Sequence, residues 1–273
     1  LSLQLIEKFG VVAAVGLPMS GQRKFGVPVG GAFDLESMKL ANYLVGNPVE
    51  SSVFELSSAQ AKFQAQSKGI MSVIGANCLI HLSPQQIESN ATIPLALGET
   101  ITIGAPSEGS RVYVAWSPGK KGSLMQLAEL PISVSKRNHL RLIHGPQFDS
   151  FQSTGLNQVF TVSRSGNRVG IRLAESIGSH TQELPSEPQS VGTLQIANDG
   201  TPIFIGPDGP TIGGYPKVGA IISSDIGRLG QLAPGDQIQL DWVSLDQAYE
   251  INRQADELFR RLMALYDLSL SMT

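Results

Sequence analysis

The chain carries a single cysteine, Cys78, among 273 residues. That scarcity excludes an intrachain disulfide and any multi-cysteine zinc site. Charge is sparse as well: 20 basic and 23 acidic residues leave a formal net charge of −3. No Lys/Arg-rich stripe with interleaved aromatics is present, so the electrostatic footprint of a nucleic-acid binder is missing. Nor is there a run of about 18 apolar residues to cross a bilayer as a helix. Glu7 and Lys8 interrupt any would-be signal core. These absences predict a soluble cytoplasmic protein with no nucleic-acid or membrane partner. The four histidines, His81, His139, His144 and His180, lack His-x-x-x-His or His-Glu-x-x-His spacing, so no metal site is expected. Missing too are Gly-x-x-x-x-Gly-Lys-Ser/Thr, Gly-x-Ser-x-Gly and a strand-to-helix Gly-x-Gly-x-x-Gly. The chain thus shows no recognisable nucleotide cradle or serine nucleophile of its own.

What is abundant is glycine and proline, 29 and 16 residues, punctuating short β-type runs. Met71-Ser-Val-Ile, Thr100-Ile-Thr-Ile, Arg111-Val-Tyr-Val-Ala-Trp, Phe160-Thr-Val-Ser, Pro202-Ile-Phe-Ile and Gln237-Ile-Gln-Leu are such runs. Many short strands at close spacing predict a mainly β fold with few helices, a sandwich or barrel. Two segments break the pattern. Asp34 is placed to cap a helix with apolar positions Met38, Ala41 and Leu44, stopped by Gly46 and Pro48. Ser244 and Gln247 form a capping-box pattern ahead of Ala248, Ile251, Ala255, Leu258, Leu262 and Leu265, with Arg253, Arg260 and Arg261 on the other face. This predicts a C-terminal amphipathic helix, either a brace on a barrel or a docking helix for a partner.

A weak internal repeat pairs Ile74-Gly-Ala-Asn77 with Ile205-Gly-Pro-Asp208, and Ala96-Leu-Gly-Glu-Thr-Ile-Thr-Ile103 with Ala233-Pro-Gly-Asp-Gln-Ile-Gln-Leu240, in the same order. It predicts one β lobe within residues 1–138 and a second within 139–243, followed by the helix and tail at 244–273. Ser117 to Asn138 would be the crossing segment.

Three runs carry candidate chemistry. Phe160 to Ala174 reads as a hairpin turning at Ser165-Gly166-Asn167, whose second arm alternates Val169, Ile171 and Leu173 against Arg168, Gly170 and Arg172. Two guanidiniums on one side repel unless an anion or a carboxylate lies between them, and Arg grips carboxylate in a fork. Either an anionic ligand or intramolecular pairing with Glu175 or Asp225 satisfies them. Gly206-Pro-Asp-Gly-Pro-Thr-Ile-Gly-Gly-Tyr-Pro-Lys217 is a rigid loop whose backbone amides can approach a ligand closely. In it Asp208 suits a base or orienter, Tyr215 a donor and Lys217 an anion partner; a plain inter-strand loop is the competing reading. Phe25-Gly-Val-Pro-Val-Gly-Gly-Ala-Phe-Asp34 leads into the capped helix, where exposed amides suit an anion or simply begin the helix. Cys78, beside Leu79 and Ile80, reads as a packing residue.

Seven motifs in order over most of the chain resemble one family: Gly26 to Asp34 with Leu40-Ala-Asn-Tyr-Leu-Val-Gly-Asn-Pro48, Gly145-Pro-Gln147, Asn167-Arg-Val-Gly-Ile-Arg-Leu173, Gly192-Thr-Leu-Gln195, Thr211-Ile-Gly-Gly-Tyr-Pro-Lys217 and Pro234-Gly-Asp236. The family is that of allophanate hydrolase subunit two, the C-type subunit of 5-oxoprolinase and the kinase-inhibitor antagonist, related to biotin-dependent carboxyltransferases. The resemblance implies two cyclophilin-like β-barrel lobes and a B-type partner subunit. In the 5-oxoprolinase version a third, ATP-using subunit joins, and the complex opens 5-oxo-L-proline to glutamate. In the urea carboxylase version the region moves a carboxyl group from biotin, carried on a partner, to urea. A third version sequesters a kinase inhibitor and catalyses nothing. ATP would be used by the assembled complex and is not clearly bound by this chain. Carried over by position, Arg168, Arg172, Gly213, Gly214, Gln195 and Asp34 are expected to bind or frame a small amide substrate, with Asp208, Lys217 and Tyr215 as the catalytic candidates. The chain departs from the family where Gln-Asp-x-Gly-Arg gives way to Val15-Gly-Leu-Pro-Met19, where Gly209-Pro-Thr-Ile212 follows Asp208, and where Ser117-Pro-Gly-Lys-Lys-Gly122 follows Trp116.

Overall fold

The computed structural model describes residues 3–120, 123–127, 138–151, 155–182 and 184–271. The chain divides into two compact units, one of Leu1–Leu17, Asp34–Ser135 and Leu258–Thr273, the other of Pro18–Phe33 and Lys136–Glu257. The expected crossing segment, Ser117 to Asn138, lies largely outside the described residues.

The first unit holds β1 (Leu3–Val15), β2 (Val53–Ala65), β3 (Gly69–Asn77), β4 (Leu79–Leu82), β5 (Gln85–Glu88), β6 (Ala91–Leu95), β7 (Thr100–Ile103), β8 (Glu108–Pro118) and β9 (Met125–Gln126). They join in the order β5-β4-β7-β2-β8-β3-β6-β9, with β1 along β2. β5, at one edge, runs within two residues into β6 near the other, so the sheet curls on itself around Leu56, Phe63, Met71, Ile80, Ile93 and Ile101. Helix α1 (Leu35–Leu44) begins as its sequence predicts. Asp34 is extended, and its carboxylate accepts from Ser37 N at 3.1 Å and from Ser37 Oγ at 2.7 Å.

The second unit holds β10 (His139–His144), β11 (Phe160–Thr161), β12 (Gly170–Arg172), β13 (Glu187–Pro188), β14 (Thr193–Ile196), β15 (Pro202–Ile205), β16 (Ile212–Gly213), β17 (Lys217–Ile221) and β18 (Gln237–Trp242), with the short helix α2 (Ile226–Gln231) between the last two. The main sheet runs β11-β18-β10-β17-β14-β15-β12, and only the β10–β18 pair in it is parallel. A bridge between Val162 and Leu173 links the ends of this order and closes the sheet into a barrel. Its filling is apolar, with Leu140, Leu142, Phe160, Leu194, Phe204 and Ile238 all buried. β13 and β16 form a separate two-stranded ladder.

The repeat seen in the sequence is one turn built twice. In the first unit Gly98 is left-handed at φ 80°, Glu99 N donates to Ala96 O, and Ala96 N donates to the Glu99 carboxylate. In the second, Gly235 at φ 93°, Asp236 and Ala233 repeat each of these features. Both turns feed an alternating strand, β7 and β18, because only glycine takes that φ freely and the acid side chain ties off the turn.

Helix α3 (Leu245–Ser271) opens on the expected capping box: Ser244 N donates to Gln247 Oε1 at 2.8 Å and Gln247 N to Ser244 Oγ at 3.2 Å. The expected apolar stripe is only partly buried. Ala248 and Leu262 are buried, whereas Leu258 and Leu265 are exposed. No described helix is long and apolar enough to cross a membrane.

Candidate functional site

Three of the motifs converge within the second unit. The hairpin that brings Arg168 into place reverses through Ser163 N to Arg172 O and Asn167 N to Gly170 O. Its second arm does not hold the expected alternation. Val169 is exposed, and Arg168 sits before β12 rather than on it. The side chain forks onto Asp208, Nε to Oδ2 at 2.7 Å and Nη2 to Oδ1 at 2.9 Å, and Nη2 also donates to Gly31 O at 2.7 Å. Gly30 N donates to Pro207 O. The guanidinium therefore pins the glycine-rich 26–33 segment and the 206–209 turn to the hairpin. That turn requires glycine: a Cβ on Gly206 would meet the Arg168 carbonyl, and one on Gly209 would lie 2.7 Å from Val169 O.

Of the two alternatives for these arginines, an anionic ligand or pairing with Glu175 or Asp225, the second takes another form: Arg168 pairs with Asp208 instead. Glu175 accepts from Thr161 N, and the buried Asp225 is held by Arg141 at 2.5 Å and Arg228 at 3.0 Å. Arg172 is exposed, close enough to Asp199 to help hold that carboxyl low, behind the larger effect of Thr201 N–H donation. The two guanidiniums therefore do not form one clamp, because the chain reaches Arg168 in a turn and Arg172 in a strand.

The loop from Gly206 to Lys217 ends on β17, where Lys217 stands opposite Gln195 of β14. Although charged, the Lys217 side chain is only 7% exposed. Its ammonium donates to Gly213 O at 3.0 Å and Tyr215 O at 3.4 Å, and Glu187 Oε2 lies 3.5 Å away. Those contacts hold a buried cation in place and fix the loop. The Gly145-Pro-Gln147 motif supports the same lysine: Lys217 N donates to Gln147 Oε1, and Gln147 N donates to Lys217 O.

Beside this loop lies a cleft of 370 Å³, within the usual range for small-molecule sites. Four carboxamides line it, Gln182, Gln189, Gln195 and Asn198. Gly213, Gly214 and the part-exposed Tyr215 complete its polar wall. None of the described lining residues is charged. Gln189 is oriented by its Nε2, which donates to Pro210 O at 3.1 Å and Ile212 O at 3.4 Å. Its Oε1 lies 2.7 Å from where a Cβ on Gly213 would stand, so a larger residue there would displace the Gln189 carboxamide. Arg23 secures the same segment, its guanidinium donating to Gln189 O and Thr211 O. Gln182 is placed by His180, whose Nδ1 accepts from Gln182 N while Nε2 faces Ile196 O, which sets the proton on Nε2. The Oε1 atoms of Gln189 and Gln195 are buried and have no hydrogen-bond partner. An unmatched buried acceptor costs about 1–3 kcal/mol.

Of the residues expected to form a site, Gln195, Gly213, Gly214 and Tyr215 meet at this cleft, with Lys217 directly behind. Arg168 and Asp208 engage each other and do not line it. Arg172 does not line it either. Asp34 belongs to the first unit, wholly buried as the α1 cap, and its N–H donates to Tyr113 Oη at 2.7 Å. Tyr113 in turn donates to Glu55 at 2.8 Å, and burial, with the negative charge of Glu55 and Asp34, pushes its phenol well above the usual range. Sequence reasoning passed over Gln182, Gln189 and Asn198, since a glutamine in a loop carries no spacing signal. Among the described residues no group of metal-ligating side chains occurs.

A closed β barrel bearing a rigid Gly-Gly-Tyr-Pro loop, carried on one chain with a second curled sheet, defines a class that the wider comparisons specify. The chain belongs to the carboxyltransferase domain family, subdomains A and B, which it matches over residues 25–123 and 118–242. It is 27% identical to the C-type subunit of 5-oxoprolinase from Escherichia coli, across 89% of this chain and 91% of that one. It is 23% identical to urea amidolyase of Saccharomyces cerevisiae across 89% of this chain, which is 16% of that protein. Its fold superposes on the urea amidolyase of Kluyveromyces lactis with a TM-score of 0.81 at 21% identity, over 95% of this chain and 20% of the larger one.

Proposed function

We propose that the chain is a non-autonomous subunit of a 5-oxoprolinase-type amidohydrolase, working with a B-type partner and an ATP-using subunit to open 5-oxo-L-proline to glutamate. One observation carries this reading: the similarity to the C-type subunit of 5-oxoprolinase extends along nearly the whole of both chains. The urea amidolyases, by contrast, contain the matching region as a small part of a longer protein. The cleft supports the reading, being of a size and polarity for a small amide. Within it Tyr215 offers a hydroxyl as proton donor, Gln195 a carboxamide contact, and Gly213 and Gly214 a backbone that a substrate can approach closely. Lys217 acts through the loop it holds, and Asp208 through Arg168; both are positioning residues. ATP is handled by a companion subunit.

The test is reconstitution. The chain is co-purified with its B-type and ATP-using neighbours, and ATP-dependent glutamate release from 5-oxoproline is measured. Release is expected only from the full complex, with Tyr215→Phe lowering kcat by about 10-fold or more. A complex that forms and releases no glutamate overturns the proposal. Transfer of a carboxyl group from biotin to urea by such a complex would point instead to the carboxyltransferase reading.

A further inference from the structure

The cleft has an unusual electrical character for a protein placed among enzymes of carboxylated substrates. Its described lining is neutral, and the nearby cations are already engaged. The Lys217 ammonium is bonded to two loop carbonyls with Glu187 beside it, and the Arg168 fork is closed on Asp208. The acceptors, in contrast, are not all engaged. Both Nε2 hydrogens of Gln189 face backbone carbonyls, which leaves its Oε1 as the unpartnered atom, and the Oε1 of Gln195 is likewise without a partner. Gln189 and Gln195 are only 4% and 7% exposed, so bulk solvent does not reach these atoms. Both residues line the cleft, and the terminal torsion of a glutamine is broad and roughly two-fold, so turning the carboxamide over presents the Gln195 oxygen to a ligand.

We propose that this cleft recognises the uncharged N–H edge of an amide, that Gln195, backed by Gln189, reads that N–H, and that the site rejects a carboxylate. The inference rests on the amidohydrolase reading and deepens it, replacing arginine recognition of a carboxylate by carboxamide recognition of a donor. A neutral N–H entering the cleft gains an acceptor that is otherwise unmatched. A carboxylate would lose its water and meet no cation among the described lining residues. A substrate that also bears a carboxylate therefore enters amide edge first, with the carboxylate directed away from the cleft. Hydrolysis adds water across the amide C–N bond and leaves a carboxylate and an ammonium where the neutral edge stood. The neutral described lining then disfavours the new carboxylate, while the ammonium keeps the contact to the Gln195 oxygen, so the hold on the product weakens at its carboxylate end.

The test uses the full, isotope-labelled chain and three probes: 2-pyrrolidinone, N-methyl-2-pyrrolidinone and 4-aminobutyrate. The first has the lactam N–H, the second has the ring without the donor, and the third is the ring-opened, charged counterpart. In NMR titrations 2-pyrrolidinone is expected to shift the side-chain amides of Gln189 and Gln195 and to bind about 10-fold tighter than either other probe. Gln195→Leu should abolish that preference while the N-methyl compound binds as before, and Gln195→Glu, which keeps an acceptor, should retain it. Equal binding of the two lactams, binding of 4-aminobutyrate as tight as that of 2-pyrrolidinone, or no saturable shift in the cleft overturns the inference. Binding is read without turnover, so its outcome is separable from that of the reconstitution. Selective lactam binding by a chain whose complex is inactive removes the hydrolase reading alone, and an active complex with an indiscriminate cleft removes this inference alone.

Discussion

Arg168 and Asp34 both looked like ligand-binding residues in the sequence, and both have local structural partners. Asp34 was also legible as a helix cap, because capping chemistry acts over three residues and Ser37 lies three residues on. The partner of Arg168 was not legible. Asp208 is 40 residues away and reaches it only because β12 and β15 pair and Gly206 and Gly209 let the turn close on the hairpin. A forked pair with one partly exposed carboxylate, holding three segments together, is a stability element, and Arg168→Ala should cost about 2 kcal/mol. Arg168→Lys should recover only part, since an ammonium cannot bridge both carboxylate oxygens in one plane. Denaturant titration reads the loss, and 2-pyrrolidinone affinity should stay within about twofold of the parent because the side chain does not line the cleft. A tenfold loss of affinity with unchanged stability would return Arg168 to the binding site. Cys78 is the plainer case: burial pushes its thiol up to about 11, with the Ser89 hydrogen bond pulling weakly the other way, so no thiolate nucleophile stands there at neutral pH.

At the level of elements, the strands were visible as alternating runs, but their partners were not. β10 pairs in parallel with β18, nearly a hundred residues further on, and nothing local encodes that. The Gly213-Gly214-Tyr215 loop shows the same division. Its glycines marked it as a turn, yet its shape comes from Lys217, whose ammonium bonds two of its carbonyls, and from Gln189, which packs on Gly213. Lys217→Met keeps the length of the side chain and removes the donors. The amides of Gly214 and Tyr215 should then exchange about 10-fold faster or more, with the barrel amides of β10 and β18 unchanged, and lactam affinity should fall with the loss of loop order. A chemical role for the ammonium makes the opposite prediction: turnover is lost while loop exchange stays as it was. Hydrogen exchange and lactam titration on the same variant separate the two.

For the molecule as a whole, the low charge that first excluded nucleic acid also bears on how a ligand arrives. A net charge of −3 spread over two units gives a weak field with no attraction for anions. Family membership was readable because its motifs are glycine and proline turns, which backbone geometry fixes wherever they occur. The neutral character of the described cleft lining was not readable, because it depends on which four carboxamides the barrel brings together between Gln182 and Asn198 and on which cations it ties up elsewhere. Ionic strength distinguishes the two kinds of recognition. Between 0.1 M and 1 M salt the Debye length falls from about 10 Å to about 3 Å, which weakens an arginine–carboxylate contact near the surface and leaves an N–H···O contact to a neutral carboxamide nearly untouched. Affinity for 2-pyrrolidinone should therefore vary by less than about twofold over that range. Affinity for 5-oxoproline, whose carboxylate would face outward into a slightly negative field, should hold steady or rise slightly as salt screens the repulsion. A steep fall for 5-oxoproline with salt, measured by the same titration, would mean that a cation in this chain grips its carboxylate after all, and the exposed Arg172 would be the first to replace by Gln.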